Sequence, residues 1–311
     1  MRILVIGDLH GRKPIIQDKD FDCLVLVGDI CDDRDIAPLW KKYFHFLKKE
    51  ENQEDFFEDF LEFQKISETN FEKLEEKSLK KGNELMKYFD SFNKPIFMVA
   101  GNWDQSYGPS KIKDTNKDSY SYLKAFYDWW LGDKINSGLI KGTRNVINCT
   151  YKNNEYKGIN FIGYGLSSAP EELSKRKKME ECTESQYKKL KEAHDKIKNK
   201  LENSHKKRKN KNLPTFFITH NIPYNTKLDT ITDKKSIVYK KHMGSTMARD
   251  FCERFQPQIC VGGHIHDHTG RDKIGKTIVI NPGFGAKAMV TIDFDEKKGK
   301  CGRIKFLNKD S

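Results

Sequence analysis

Seven side chains able to bind a metal follow short apolar runs at five separate places in this 311-residue chain. Ile3–Ile6 leads into Gly7-Asp8-Leu9-His10-Gly11, Cys23–Val27 into Gly28-Asp29, and Pro95–Val99 into Ala100-Gly101-Asn102-Trp103-Asp104. Farther on, Thr215–Thr219 ends at His220-Asn221 and Gln258–Val261 at Gly262-Gly263-His264-Ile265-His266. The set holds two carboxylates (Asp8, Asp29), four imidazoles (His10, His220, His264, His266) and one amide oxygen (Asn102). That is too many for a single tetrahedral zinc and suits two cations sharing a bridging carboxylate. Mixed nitrogen and oxygen ligands suit Mn, Fe, Zn or Co better than Ca or Mg. Two divalent ions, set against two aspartates and a bridging hydroxide, leave one positive charge, which favours a bound phosphate.

The elements that must position these residues are short β-rich runs. Besides the five above, Ile159–Ile162, Thr277–Ile280 and Ala288–Phe294 read as strands. Their near-continuous apolar character predicts burial on both faces, as in α/β sheets. Such sheets place their sites beyond the carboxyl ends of strands, where five separated segments can converge. Apolar residues at helical spacing occupy Asp35–Phe92 and Thr183–His205, and Ser245–Phe255 reads as a third helical stretch with Ser245 as N-cap. No linker or repeat divides the chain. The expectation is one α/β domain over 1–311 with two helical insertions, near 35–92 and 171–212.

Charge narrows the partners. The net charge is +12, which invites an anionic partner only if the charge gathers on one face. Glu50–Glu76 holds 11 acidic and 2 basic residues, whereas Ser174–Lys211 holds 15 basic and 6 acidic. These segments read as solvated helix faces, with mutual attraction, or a basic segment meeting an anionic partner, as the sharper alternatives. The apolar runs are too short for a membrane span, and Arg2 is followed by too few apolar residues for a signal peptide. Seven scattered cysteines without a C-x-x-C pair predict reduced, mostly buried thiols in a cytoplasmic protein.

The series Asp8-x-His10, Gly28-Asp29, Gly101-Asn102-x-Asp104, His220 and Gly263-His264-x-His266 resembles the calcineurin-like metallophosphoesterase superfamily in spacing and order. Thr219-His220-Asn221-Ile222-Pro223-Tyr224, Gly244-Ser245, Asp272-Lys273-Ile274-Gly275 and Asn281-Pro282-Gly283 resemble more closely its Icc-related predicted phosphoesterases. The resemblance implies two packed, mainly mixed β-sheets flanked by helices. It also implies one metal on Asp8, His10, Asp29 and His266, and another on Asp29, Asn102, His220 and His264. Asp29, Asn102 and His220 would then be catalytic, with manganese the expected activator in vitro. The implied reaction is hydrolysis of phosphate esters, phosphodiesters ahead of monoesters, by a metal-bridging hydroxide. A nuclease using the basic insertion, and a binding scaffold that lost catalysis, are the alternatives. Nucleic acid is not the favoured partner.

One position departs from the pattern. Many superfamily members carry a histidine after the motif asparagine; here it is Trp103, which has no proton titrating near neutral pH. Trp103, Asn221, Tyr224 and His242 are candidate substrate contacts. Asp104 is expected to bond backbone N–H groups, His268 to be a loop histidine, Gly283-Phe284-Gly285 a tight turn, and Tyr127, Trp129 and Trp130 a packed helix face.

Overall fold

Leu4 and Ile6 of β1 (Arg2–Ile6) enter one hydrophobic cluster while Ile3 and Val5 enter another. The two-residue period of a strand turns successive side chains to opposite faces, so a run buried throughout must lie between two apolar layers. In the computed structural model, which describes residues 1–49, 57–107, 110–112, 119–168, 170–171, 182–236, 238–296 and 299–307, this holds for the central strands of two sheets.

In one sheet β2 (Cys23–Leu26), β3 (Ile96–Met98) and β4 (Val146–Asn148) continue parallel to β1, whereas β11 (Met289–Asp295) and β12 (Lys300–Phe306) run antiparallel. The strand order is β12-β11-β1-β2-β3-β4. The core of the other sheet is the parallel set β6 (Ile159–Tyr164), β7 (Thr215–Asn221), β8 (Ile259–Gly263) and β10 (Thr277–Asn281). It is edged by antiparallel β5 (Asn154–Tyr156) and β9 (Gly270–Ile274), in the order β5-β6-β7-β8-β10-β9. Parallel neighbours need long crossovers. These are supplied by α1 (Ala37–Lys49), α2 (Phe57–Gln64), α3 (Glu68–Asp90) and α4 (Ser119–Trp130) in the first sheet, and by α5 (Glu184–Lys206) and α6 (Thr246–Phe255) in the second.

Three clusters fill the spaces. Between the sheets lie Val5, Val25, Phe97, Phe161, Phe216 and Val261, with the Phe97 and Phe161 rings stacked at 4.1 Å. On the outer face of the first sheet Leu4, Leu24 and Met98 meet Tyr43, Phe60 and Phe89 of the α1–α3 layer. On the outer face of the second, Phe217 and Cys260 meet Tyr127, Leu190, Ile197 and Phe251 of α4–α6. The architecture is two mixed six-stranded sheets flanked by helices, and all eight strands expected from the sequence form.

The acidic and basic segments lie in different layers. Among the described residues, the first packs outside one sheet and the second outside the other. Ion pairs of α5 go to its own layer, Lys198 to Asp250 and Arg254 to Glu202. Parts of both segments (50–56 and 172–181) lie outside the described residues. Helix starts follow local chemistry: Ser245 caps α6 by accepting from Ala248 N, and Thr183 forms a reciprocal capping box with Gln186 at α5. All seven cysteines are free and five are buried. Tyr127 and Trp130 are buried on α4, as a packed face requires, and no described helix is long and apolar enough to cross a membrane.

Candidate metal centre

Strands β1, β2, β3, β7 and β8 deliver their terminal residues to one place. Asp8, His10, Asp29 and His266 each offer a ligand atom within 4.8 Å of one another, and so do Asp29, His220 and His264. Asp29 belongs to both groups, the position a bridging carboxylate must hold. Asn102 joins the second group, its Oδ1 2.8 Å from His220 Nε2. All seven expected ligands are therefore brought together, in the two sets the resemblance implied.

The backbone is bent to achieve this. His10, Asp29 and His264 adopt φ of +47°, +52° and +66°, a left-handed conformation that costs L-residues energy and concentrates at functional sites. The Asp29 carbonyl accepts from the Leu9 and His10 amides at 3.1 and 2.9 Å, locking the β1 and β2 loops together. Asp104, fully buried, accepts from Ile30 N at 2.8 Å and Cys31 N at 3.0 Å on one oxygen and Gly101 N at 3.0 Å on the other. It thereby ties the Asp29 loop to the Asn102 loop, the backbone role expected of it. Gly263 is required by close approach, since a Cβ there would overlap Asp8 Oδ1.

The hydrogen bonds determine which ring nitrogens are free. His220 Nδ1 lies 3.0 Å from the Val27 carbonyl, so it carries the proton and Nε2 presents a lone pair. His264 Nε2 donates to the Ser168 carbonyl at 2.9 Å, leaving Nδ1 free. His10 Nδ1 lies 2.9 Å from Asp33 Oδ2, an ion-pair contact outside hydrogen-bond geometry that favours the proton on Nδ1. The free His10 Nε2 lies 3.2 Å from His266 Nε2, and the free His220 Nε2 faces the Asn102 carbonyl oxygen at 2.8 Å. His10 Nε2, His220 Nε2 and Asn102 Oδ1 thus bring acceptor atoms to one place, as metal ligands must. Two nitrogens sharing one ion at bond lengths of about 2.1 Å would be roughly 3 Å apart. Asp8 Oδ1 is buried with no partner among the described residues. The donor set thus fits two metal ions.

Burial shapes the charges. The Asp29 carboxyl is pushed well above the usual range by burial and by Asp8 and Asp104, with His10 opposing. Burial also pushes Asp8 up, but the imidazoles of His266, His220 and His10 outweigh it and hold Asp8 below the usual range. Burial, then His220 and His266, push His264 down to about 3, so at neutral pH it is in the neutral, ligating form.

The other candidates divide. Trp103 stands at the cluster, its ring 6.2 Å from His10 and its backbone N–H donating to Asp29 Oδ1 at 2.9 Å. Asn221 is buried beside His220; its Nδ2 donates to the Met243 carbonyl at 2.9 Å and its Oδ1 lacks a partner among the described residues. Tyr224 and His242 pair with each other at 5.9 Å between rings, and His242 Nδ1 meets the buried Asp229 at 2.6 Å. His268 binds the Thr230 carbonyl at 2.7 Å. Sequence reasoning missed Asp33, whose only signal was the Asp32-Asp33 pair just beyond Asp29, and Phe284, whose ring stacks on His266 at 4.1 Å. It also missed Arg12, which lies 3.4 Å from Asp33 and over the Phe284 ring.

A 75-residue stretch is 44% identical to part of an uncharacterized protein of Methanocaldococcus jannaschii, covering 23% of this chain and 33% of that one; the match spans about a third of the relative's length. A solved crystal structure superposes over 98% of both chains with a TM-score of 0.51 at 17% identity, a likeness of fold. TT1561 of Thermus thermophilus superposes over 98% of both chains with a TM-score of 0.42 at 13% identity. The sequence profile of the calcineurin-like phosphoesterases matches residues 1–268, and the chain belongs to that family.

Proposed function

We propose that this protein hydrolyses phosphate esters with two divalent metal ions, one held by Asp8, His10, Asp29 and His266 and the other by Asp29, Asn102, His220 and His264. The observation that carries the reading is the double membership of Asp29 in two clusters whose ligand atoms lie within 4.8 Å of one another. Ions so held supply an activated water nucleophile and polarise the phosphoryl oxygens. The chain itself fixes the donor atoms: Val27, Ser168 and Asp33 each take one ring nitrogen and aim the other inward. The Trp103 amide holds Asp29 Oδ1, leaving Oδ2 at 3.4 Å from His10 Nε2 and 3.5 Å from His220 Nε2.

Phosphodiesters are the proposed substrates ahead of monoesters. Two carboxylates and one hydroxide leave one positive charge on the loaded centre, matching the single charge of a diester, and Arg12 offsets Asp33 alongside. Trp103 offers no titratable proton where a general acid would stand, so esters with acidic leaving groups are expected to turn over fastest. Manganese is the proposed activator in vitro, the cytoplasm the proposed compartment, and 1–311 the proposed single domain. The test is a metal-supplemented screen of activated mono- and diesters, cyclic nucleotides, dinucleotides and nucleic acids. Metal uptake without turnover of any ester would favour a binding scaffold instead. A nuclease reading rests on the solvent-facing Lys188, Lys189, Lys191 and Lys196 of α5. It predicts nucleic-acid binding that falls steeply with added salt.

A further inference from the structure

Three of the four imidazoles at the centre have an outer polar group against the ring: the Val27 carbonyl hydrogen-bonded to His220, the Ser168 carbonyl hydrogen-bonded to His264, and Asp33 in ion-pair contact with His10 at 2.9 Å. His266 does not. It is the most exposed of the four, and its Nδ1 has no hydrogen bond among the described residues. Its Nε2 nevertheless sits 3.2 Å from His10 Nε2 and 3.4 Å from Asp8 Oδ2. The outer torsion of a histidine is broad and soft, and metal-ligating histidines are normally oriented by a second partner.

Against His266 lies an aromatic ring. Phe284 stacks on it with centroids 4.1 Å apart and planes at 27°. The Arg12 guanidinium lies 4.7 Å over the Phe284 ring and is itself anchored to the His10 carbonyl at 3.0 Å and to Asp33 at 3.4 Å. The backbone beneath is fixed as well. Gly285 N donates to the Asp8 carbonyl at 2.7 Å. Buried Asn281 accepts from Gly283 N at 2.9 Å and donates to the Ile265 carbonyl at 3.0 Å. One amide therefore joins the 281–285 turn to the loop bearing His264 and His266. Gly283 and Gly285, at φ +97° and +84°, allow the backbone to turn on either side of the phenylalanine. The ring is 38% exposed, so filling a core does not explain its placement.

We propose that Phe284, steadied by Arg12 and by the Asn281 turn, is a positioning residue for His266, its stacking taking the place of the missing outer hydrogen bond. This rests on the two-metal reading above. The test is calorimetric titration of Mn²⁺ into the metal-stripped full-length protein, comparing wild type with Phe284→Leu, Phe284→Tyr and Arg12→Met. Loss of an outer partner costs about 10–100-fold in metal affinity; Phe284→Leu is expected to weaken one of two Mn²⁺ events about tenfold and leave the other unchanged. Phe284→Tyr, which keeps the stack, restores the weakened event, and Arg12→Met gives a smaller loss at that same event. Equal weakening of both events, or no change in either, overturns the inference. Failure of the wild type to bind two ions overturns the two-metal reading itself, and the inference falls with it. Thermal melts of the metal-free variants, expected to match wild type at so exposed a position, separate lost positioning from lost folding.

Discussion

Asp104→Asn and Asp104→Ala test whether the metal centre depends on one buried carboxylate that binds no metal. Asp104 accepts three backbone hydrogen bonds at 2.8, 3.0 and 3.0 Å from two different loops. A bond to a charged acceptor contributes about 1.5–3 kcal/mol, and an orphaned buried N–H costs about 1–3 kcal/mol. The alanine variant orphans all three and is expected to lose about 3–9 kcal/mol, a large part of the roughly 5–15 kcal/mol typical of a native protein. The asparagine variant keeps Oδ1 for Ile30 and Cys31 but turns a donor toward Gly101 N–H, for a loss of about 1–3 kcal/mol. Urea unfolding with an unchanged slope gives these numbers directly. Both variants should also weaken both metal-binding events, because Asp29 and Asn102 sit on the loops that Asp104 joins. The reasoning is refuted if Asp104→Asn loses less than about 0.5 kcal/mol. It is refuted also if that variant stays stable but loses one limb of the pH–rate profile, which would make Asp104 a proton donor or acceptor.

Other expectations follow from the same geometry. Asp29→Asn should abolish all ester hydrolysis at this site and lower metal uptake at both events; persistent turnover would locate the activity elsewhere. Trp103→His should accelerate esters with poor leaving groups by up to about 10²–10⁴-fold and flatten the dependence of rate on leaving-group pKa; an unchanged slope means the tryptophan does not limit leaving-group departure. His205, buried against Phe251 and Phe255, has its pKa pushed down to about 4 by burial and then by Arg208. Its neutral form is thus favoured in the folded state, so its contribution is full above about pH 6.5 and is lost as pH falls toward 4. His205→Phe should flatten the stability–pH curve over that window, and an unaltered curve would show the imidazole is not titrating there.

Every central strand of both sheets was legible in the sequence, and no edge strand was. β4, β5, β9 and β12, the four absent from the sequence reading, are the outermost strands of the two sheets. The reason is burial. β1, β2 and β7 are buried along nearly their whole length and read as apolar runs, whereas β12 (Lys-Cys-Gly-Arg-Ile-Lys-Phe) alternates half-buried and exposed positions. Charged and polar residues on an edge also discourage pairing with other chains, and they erase the signal that identifies a strand.

The site divides the same way, between residues that touch the reacting centre and residues that aim them. Ligands must be residues such as Asp, His or Asn at fixed offsets from strand ends, because few side-chain types carry metal-donor atoms and the strand ends are what converge. Their supports face a weaker chemical constraint. Val27 and Ser168 act through backbone carbonyls, which any residue has, and Phe284 acts through a ring delivered from the opposite end of the chain to Asp8 and Asp29. Nothing in the identity of Val27 or Ser168 announces the bond it makes, and a phenylalanine between two glycines reads as a turn until the fold lays it on His266. Asn281 is the instructive case, because its position drew notice as part of Asn281-Pro282-Gly283 while its work stayed hidden. Only the pairing of β10 with β8 brings its amide against Ile265, and with that contact the motif becomes a clamp on the loop of His266, the most exposed of the proposed ligands.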